Sequence, residues 1–329
     1  MKTTQICFRV TADADPDYAK KLSEKLNLPI EPIPAAGQEE SPDEPSRETS
    51  GRKSRKNKQR KLRRQEETLQ EETLQEKMVQ EEMLQTETIP EDKLQGKASA
   101  EPLVLRLDAK GLALMQGDLV MQGDFTDMIR RTRPANLSSE ILLKAARLKN
   151  AGPQPWALDA TAGMGEDSLL LAAGGYQVLL YEYDPIICAL LEDAIKRAAQ
   201  VPELAAIAGR MHVHEGDSIA AMKVIGSADY QGIVPDLIML DPMFPERSKS
   251  ALVKKKFQLL QQLESPCSAE ADLLEAAMTA RPKKIVIKRP AKGPYLAGKK
   301  PEYSLAGKAI RYDCIVIHPG SVESKEERK

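Results

Sequence analysis

The stretch Leu158-Asp159-Ala160-Thr161-Ala162-Gly163-Met164-Gly165-Glu166-Asp167 constrains this chain more than any other. It begins with a short apolar run, Trp156-Ala157-Leu158, of the kind that forms a buried strand. It leads into Leu169, Leu170, Leu171, Ala172 and Ala173, which have helical spacing. Between them lies a tight turn with two glycines. A strand that turns sharply into a helix aims backbone N–H groups and the positive helix end at whatever sits above the turn. Gly163 and Gly165 let a ligand approach the backbone without meeting a side chain. Asp159, at the strand end, offers a carboxylate to a cationic or hydroxyl-bearing ligand.

Two nucleotide-type patterns compete for this turn, beside the plain alternative of a glycine turn without a ligand. The dinucleotide fingerprint G-x-G-x-x-G needs glycine where Ser168 stands. The spacing D-x-x-x-G-x-G instead resembles the first motif of class I S-adenosylmethionine-dependent methyltransferases. The chain beyond Trp156 alternates strand and helix signals. Strands are expected over 177–183, 211–215, 236–240, 284–288 and 309–318, and helices over 185–200, 248–263 and 272–279. Such alternation predicts a parallel sheet with helices on both faces. No helix follows Lys288. The end reads as two strands joined near Gly307-Lys308, and an antiparallel strand near the edge is how the class I methyltransferase sheet ends. The expected fold is therefore α/β: a Rossmann-like doubly wound sheet with an antiparallel edge strand, plus a small N-terminal α+β region.

Upstream, Gln5–Val10 reads as a strand and Asp17–Leu28 as a helix stopped by Pro29, Pro32 and Pro34. Residues 35–100 differ in kind. Gly37–Ser50 is rich in Glu, Ser and Pro, a composition that cannot bury a core. Gly51–Arg64 carries nine Lys and Arg. Gln65–Gln85 repeats a five-residue unit as EETLQ, EETLQ, EKMVQ and EEMLQ. Each unit turns the apolar position by about 140° on a helix, so Leu69 and Leu74 share no face and no coiled coil is expected. The basic block pairs with the acidic one or serves as an RNA-grazing arm. From 101 to 150, Leu103, Leu105 and Leu107 alternate with polar positions, turns fall near Gly111 and Gly117, and Ser138 is placed to cap a helix over 140–148.

The 329 residues carry a net charge of −1, so no global field argues for nucleic acid. Cys7, Cys188, Cys267 and Cys314 show no C-x-x-C spacing, which fits a reducing compartment. Met1–Val10 lacks the apolar core of a signal peptide, and no run has the length of a membrane span, so a cytoplasmic protein is expected. His212, His214 and His318 have no companions that complete a metal site and are read as structural.

Three strand ends carry candidate chemistry. Glu182 ends the second strand, where a carboxylate can accept both ribose hydroxyls of an adenosine cofactor. Asp217-Ser218 follows the third strand and is either an adenine-side contact or a helix cap. Asp241-Pro242-Met243-Phe244-Pro245 follows Ile238-Met239-Leu240 and resembles the D/N-P-P-Y/F motif of methyltransferases that act on exocyclic amines, with Met243 replacing the second proline. The lone pair of such an amine is delocalised into the base. An acceptor for its N–H returns density to nitrogen, prolines hold that acceptor aimed, and Phe244 can stack on an extracted base.

Asp159–Asp167, Asp241–Pro245, Ser250-Ala-Leu-Val-Lys-Lys255 and Val286-Ile-Lys-Arg-Pro290 together resemble the bacterial small-subunit ribosomal RNA guanine-N2 methyltransferases of the J family, over roughly 101–318. The resemblance implies methyl transfer from S-adenosylmethionine to N2 of a guanosine in 16S rRNA, free or within the small ribosomal subunit, without a metal. It implies cofactor contacts at Glu166, Asp167, Glu182, Tyr183, Asp217, Ser218 and Asp241, joined to Asp159, Gly163 and Gly165 of the turn. Catalysis would fall to Asp241, Pro242 and Phe244. The chain departs from the family at Glu166 and Tyr183, which lack a basic residue, and at Asp217, which stands for a small hydroxyl residue. Lys249, Lys254, Lys255, Lys288 and Arg289 are expected to meet RNA phosphates. The alternatives are an amino-group methyltransferase on DNA, at adenine N6 or cytosine N4, and a non-catalytic ribosome-assembly RNA-binding protein. The implied organisation is a small segment at 1–34, a charged insertion at 35–100, a subdomain at 101–150, a methyltransferase domain at 151–319 and a charged tail at 320–329.

Overall fold

Alternating burial builds a first sheet. In Leu103–Asp108, the three leucines are buried while Val104, Arg106 and Asp108 are half-buried, the signature of a strand with one covered face. A computed structural model describes residues 6–31, 102–150, 152–242 and 270–318. The expectations for 35–100 and for a helix over 248–263 lie outside the described residues. The strands β1 (Ile6–Val10), β2 (Ile30–Glu31), β3 (Leu103–Asp108), β4 (Gly111–Gln116) and β5 (Leu119–Met121) form one sheet in the order β2-β1-β3-β4-β5. β1 runs parallel to β3, with Phe8 opposite Leu105. The stretches 1–34 and 101–150, read apart in the sequence, thus share a sheet. Between β1 and β2 the Pro16–Leu26 helix is capped by the Asp15 carboxylate, and Asn27, in the left-handed conformation at φ 50°, ends it.

Continuous apolar runs build the second sheet, because parallel strands are covered on both faces. Its strands are β6 (Trp156–Asp159), β7 (Gln177–Glu182), β8 (Met211–Glu215), β9 (Leu237–Leu240), β10 (Lys284–Pro290), β11 (Tyr303–Ala306) and β12 (Ile310–Val316). Their order is β11-β12-β10-β9-β6-β7-β8, and β12 is antiparallel to both neighbours. The expected doubly wound sheet with an antiparallel strand near its edge is present. Strand alternation divides the core. Leu237, Met239 and Val286 face the Glu166–Ala173 helix, with its Leu169, Leu170 and Leu171. Ile238, Leu240, Ile285 and Ile287 face the Ser218–Ile225 and Glu270–Thr279 helices.

The Pro185–Ala198 helix carries the first sheet. Ile186, Ala189 and Leu190 pack with Phe8, Leu105 and Leu114. Buried Asp193 accepts the Leu112 N–H at 3.0 Å and the Arg197 Nε–H at 2.7 Å.

Two local expectations change. The helix before β6 is shorter, Ile141–Ala146, and Ser138 does not cap it. Ser138 closes the preceding Pro134–Leu137 turn, and the Glu140 carboxylate is held by Arg131 at 2.7 and 2.9 Å. The Pro202–Ala208 helix, which ends at Gly209, has no counterpart in the sequence pattern, whereas the Ser218–Ile225 helix is the one that the Asp217-Ser218 cap signal announces.

Candidate active site

The chain leaves β6 toward β7 and β8, then returns to β9 on the other side of β6. The crevice above that reversal is where an open α/β sheet binds its ligand. Asp159 ends β6 and organises the turn beneath it. Its Oδ1 accepts the Thr161 N–H at 3.1 Å and its Oδ2 the Ser168 hydroxyl at 2.6 Å. Burial pushes its pKa up to about 7, against those two hydrogen bonds and with help from the charges of Asp167 and Asp241. With 2% exposure, Asp159 shapes the turn from below, which corrects the expectation that it offers its carboxylate to a ligand.

The two glycines do different work. Gly163 sits at φ 51°, and a Cβ there would meet nothing within 4 Å, so the space above it is open. Gly165 sits at φ 78°, and its Cβ would lie 2.5 Å from Leu191 and 3.3 Å from Phe125. Its N–H goes to the Ala162 carbonyl at 2.8 Å. Gly165 is therefore a packing glycine under the turn, and its expected ligand contact is corrected on that ground.

Glu182 reaches across from the end of β7. Its Oε2 accepts the Gly163 N–H at 2.9 Å and its Oε1 the Asp184 N–H at 2.9 Å. Burial raises its pKa, and these backbone N–H groups oppose the rise. At the end of β8, Gly216 has φ 143° and open space where a Cβ would stand, and its N–H meets the Glu182 carbonyl at 2.9 Å. Gly163, Glu182 and Gly216 thus lie on three adjacent strand ends and leave an open floor with a carboxylate in it. A carboxylate has about four acceptor sites, so capacity remains for ribose hydroxyls, and the floor fits an adenosine-bearing cofactor. Gly216 escaped the sequence reading, although a glycine between a strand and a helix cap was a usable signal. Asp217 caps the next helix, its Oδ1 accepting the Ile219 N–H at 2.8 Å. Tyr183 is 78% exposed, and Glu166 is exposed in the first turn of its helix.

On the other side of β6, Asp241 follows β9. Its N–H donates to the Thr161 hydroxyl at 2.7 Å. Its Oδ2 lies 2.8 Å from the Lys288 Nζ, which is also 2.8 Å from the Asp167 Oδ2. Burial works against the charge on Lys288, but Asp167 and Asp241 outweigh it and raise its pKa. Buried Tyr312 stands opposite Lys288 in the register, and burial first, then Asp167, raises its phenol pKa.

The expected RNA contacts divide. Lys249, Lys254 and Lys255, with Met243 and Phe244, lie outside the described residues. Lys288 is committed to two carboxylates. Arg289 points to the opposite face of β10 and is 1% exposed. Its Nε donates to the Pro294 carbonyl at 3.0 Å and its Nη1 lies 3.3 Å from Glu270. Burial leaves Arg289 no face for a phosphate, which corrects that expectation, while the Lys288 ammonium faces the Asp167 and Asp241 carboxylates. His212 stacks on Trp156 and His214 on Tyr181, so both contribute packing. Among the described residues no group of three His, Cys, Asp or Glu could hold a metal ion, and no helix is long and apolar enough to cross a membrane.

The order of the main sheet, with β12 antiparallel beside β10, defines a class I S-adenosylmethionine-dependent methyltransferase fold. The family described as "Putative SAM-dependent methyltransferase" matches residues 88–317. The chain belongs to that family, among relatives named ribosomal RNA small subunit methyltransferase J. The relative from Thioalkalivibrio sulfidiphilus is 38% identical over 229 residues, 68% of this chain and 88% of its own length. The one from Pseudomonas paraeruginosa is 43% identical over 188 residues, 57% of this chain and 69% of its own. A crystal structure of a SAM-dependent methyltransferase from Neisseria gonorrhoeae shares the fold with a TM-score of 0.57 and 22% identity, over 95% of this chain and 96% of that one. S-adenosylmethionine is the cofactor of this family.

Proposed function

We propose that the chain methylates the exocyclic N2 of a guanosine in 16S rRNA, free or within the small ribosomal subunit. The observation that carries this reading is Asp241, a partly exposed carboxylate at the crevice end of β9 whose backbone is bonded to the glycine turn. The names of the relatives supply the RNA class. Glu182, with the open backbone at Gly163 and Gly216, would hold the adenosine end of the cofactor. Tyr183, Asp217 and Ser218 would border the adenine, and Glu166 would stand at the rim. Bound there, S-adenosylmethionine supplies a methyl group on a sulfonium, which leaves as a neutral thioether.

The residues of the chain then act on the amine. Asp241 accepts its N–H and returns electron density to the nitrogen. Buried Pro242 stiffens the loop, and Phe244 stacks on the base. Lys249, Lys254 and Lys255 would meet phosphates, together with exposed Lys292, Lys299 and Lys300 of the loop between β10 and β11. The site would work in the cytoplasm, where the small subunit is made, and the 35–100 insertion would add nothing to it.

The deciding experiment offers unmethylated 16S rRNA, small subunits and duplex DNA with labelled cofactor and maps the modified base. Label at a guanine N2 of the RNA is expected, and Asp241→Ala should cut the rate about a hundredfold, or about 3 kcal/mol. Label on adenine or cytosine of DNA, or turnover undiminished in the variant, would reject the assignment.

A further inference from the structure

Lys288 holds a position that phosphate binding does not explain. Its ammonium lies 2.8 Å from Asp167, at the head of the helix that follows the glycine turn, and 2.8 Å from Asp241, at the proposed amine site. Asp241 is held a second time through its backbone, by the Thr161 hydroxyl. Thr161 is bonded through its own N–H to Asp159, and Asp159 to Ser168, the neighbour of Asp167. The contacts close a ring: Asp241, Thr161, Asp159, Ser168, Asp167, Lys288 and back to Asp241. One arc of the ring is the cofactor turn, and the other is the residue that would receive the amine.

We infer that Lys288 is a positioning residue, a clamp that fixes the Asp241 carboxylate relative to the cofactor turn. The inference rests on the function proposed above. Two carboxylates at this distance from one ammonium leave it little freedom, and each is in turn restrained by the charge it shares. The adjacent Arg289 plays no part, because strand alternation turns it to the other face. Thr161 holds the Asp241 backbone N–H and Lys288 its carboxylate, and because both restraints act on one residue, releasing the carboxylate also loosens the N–H bond to Thr161. Methyl transfer needs the amine held in line with the sulfonium, and a displacement of about 1 Å at such a site costs about a hundredfold in rate.

A clamp and a phosphate ligand make opposite forecasts for Lys288→Met. The clamp predicts a kcat reduced by about tenfold to a hundredfold, an RNA KM within about twofold of wild type and an unchanged salt slope. Lys288→Arg should recover part of the loss. The double variant Asp167→Asn/Lys288→Met, which removes the surplus negative charge, should keep the low kcat, and it replaces the single variant if that one fails to fold. Hydrogen exchange read without RNA is a second measure. The Asp241 amide should exchange faster in Lys288→Met than in wild type or Lys288→Arg. A normal kcat with a raised RNA KM and a flatter salt slope would make Lys288 a phosphate ligand and overturn the clamp. Unchanged exchange at Asp241 would overturn it whatever the activity. If wild-type protein methylates no ribosomal RNA, the proposed function fails, and the exchange measurement still decides the clamp.

Discussion

The Thr161 hydroxyl accepts the backbone N–H of Asp241 at 2.7 Å, joining the loop after β6 to the loop after β9 across the crevice. The two residues are far apart in sequence and come together because β6 and β9 are neighbours at the point where the strand order reverses. The bond makes the glycine turn and the proposed amine site parts of one unit. Thr161→Val, nearly isosteric, leaves the Asp241 N–H without this acceptor. A loss of about 1–3 kcal/mol is expected, divided between stability and kcat, with cofactor affinity close to wild type. Thr161→Ser should behave as wild type. Calorimetry and single-turnover rates on the three proteins check this, and a Val variant with normal rate and melting temperature would refute it.

The glycines supply a paired test. Gly165→Ala forces a methyl against Leu191 and Phe125 in a left-handed backbone, so about 1–3 kcal/mol of stability should be lost. Gly163→Ala carries the left-handed penalty of about 1–2 kcal/mol, with open space around the methyl. Its larger effect should fall on cofactor binding, because the methyl enters the floor. Thermal melts beside cofactor titrations separate the two. Equal losses of stability and of affinity in both variants would contradict the division of roles.

Much of this site was legible in the residue order. The apolar runs fixed β6, β7, β9 and β10, and the acidic or glycine residues after them marked the crevice end. The Lys288-Arg289 pair is legible too, but as residue types alone it suggests a basic patch. Continuing the strand alternation from Val286 and Ile287 sends the two side chains to opposite faces, and only the fold shows what each meets there. The parallel pairing of β1 with β3 could not be read, since no local pattern records a partner beyond a long intervening segment. Asp159 misled for a related reason. Its type and place suit a ligand, and its burial depends on Ser168 returning to it from the following helix.

Glu182 should make cofactor binding sensitive to acid. Burial raises its pKa above the ordinary glutamate value, against the N–H groups of Asp184, Gly163 and Tyr183. The ionised carboxylate is the better acceptor for ribose hydroxyls and is lost as pH falls through that raised value. Affinity for S-adenosylmethionine should therefore decline on acidification sooner than an ordinary carboxylate would cause. Glu182→Gln should flatten the pH dependence, and Glu182→Ala should weaken binding by about tenfold or more, or about 1.4 kcal/mol. Isothermal titration across the acidic range tests both, and a wild-type affinity constant over that range would count against the assignment.

Asp159 should leave its mark on stability in place of binding. Its folded pKa of about 7 lies above the ordinary value of 3.8, and burial is the main cause. A carboxyl with a raised folded pKa contributes stability that is complete below the unfolded pKa and is lost as pH rises through the folded one. For Asp159 the loss develops between about pH 4 and pH 7 and is on the order of a few kcal/mol when the group is fully ionised. Asp159→Asn cannot ionise. Its amide oxygen can accept the Thr161 N–H, and its NH2 can donate to the Ser168 oxygen once that hydroxyl turns, so the turn keeps its bonds. The melting temperature of the variant should therefore gain on wild type steadily as pH rises from 4 to 8, with the two closest, or wild type ahead, at the acid end. Groups remote from the turn titrate in both proteins alike, so the difference reports the turn that Asp159 anchors. A difference in melting temperature that stays constant over the range would show that Asp159 does not titrate there, and that its hydrogen bonds outweigh its burial.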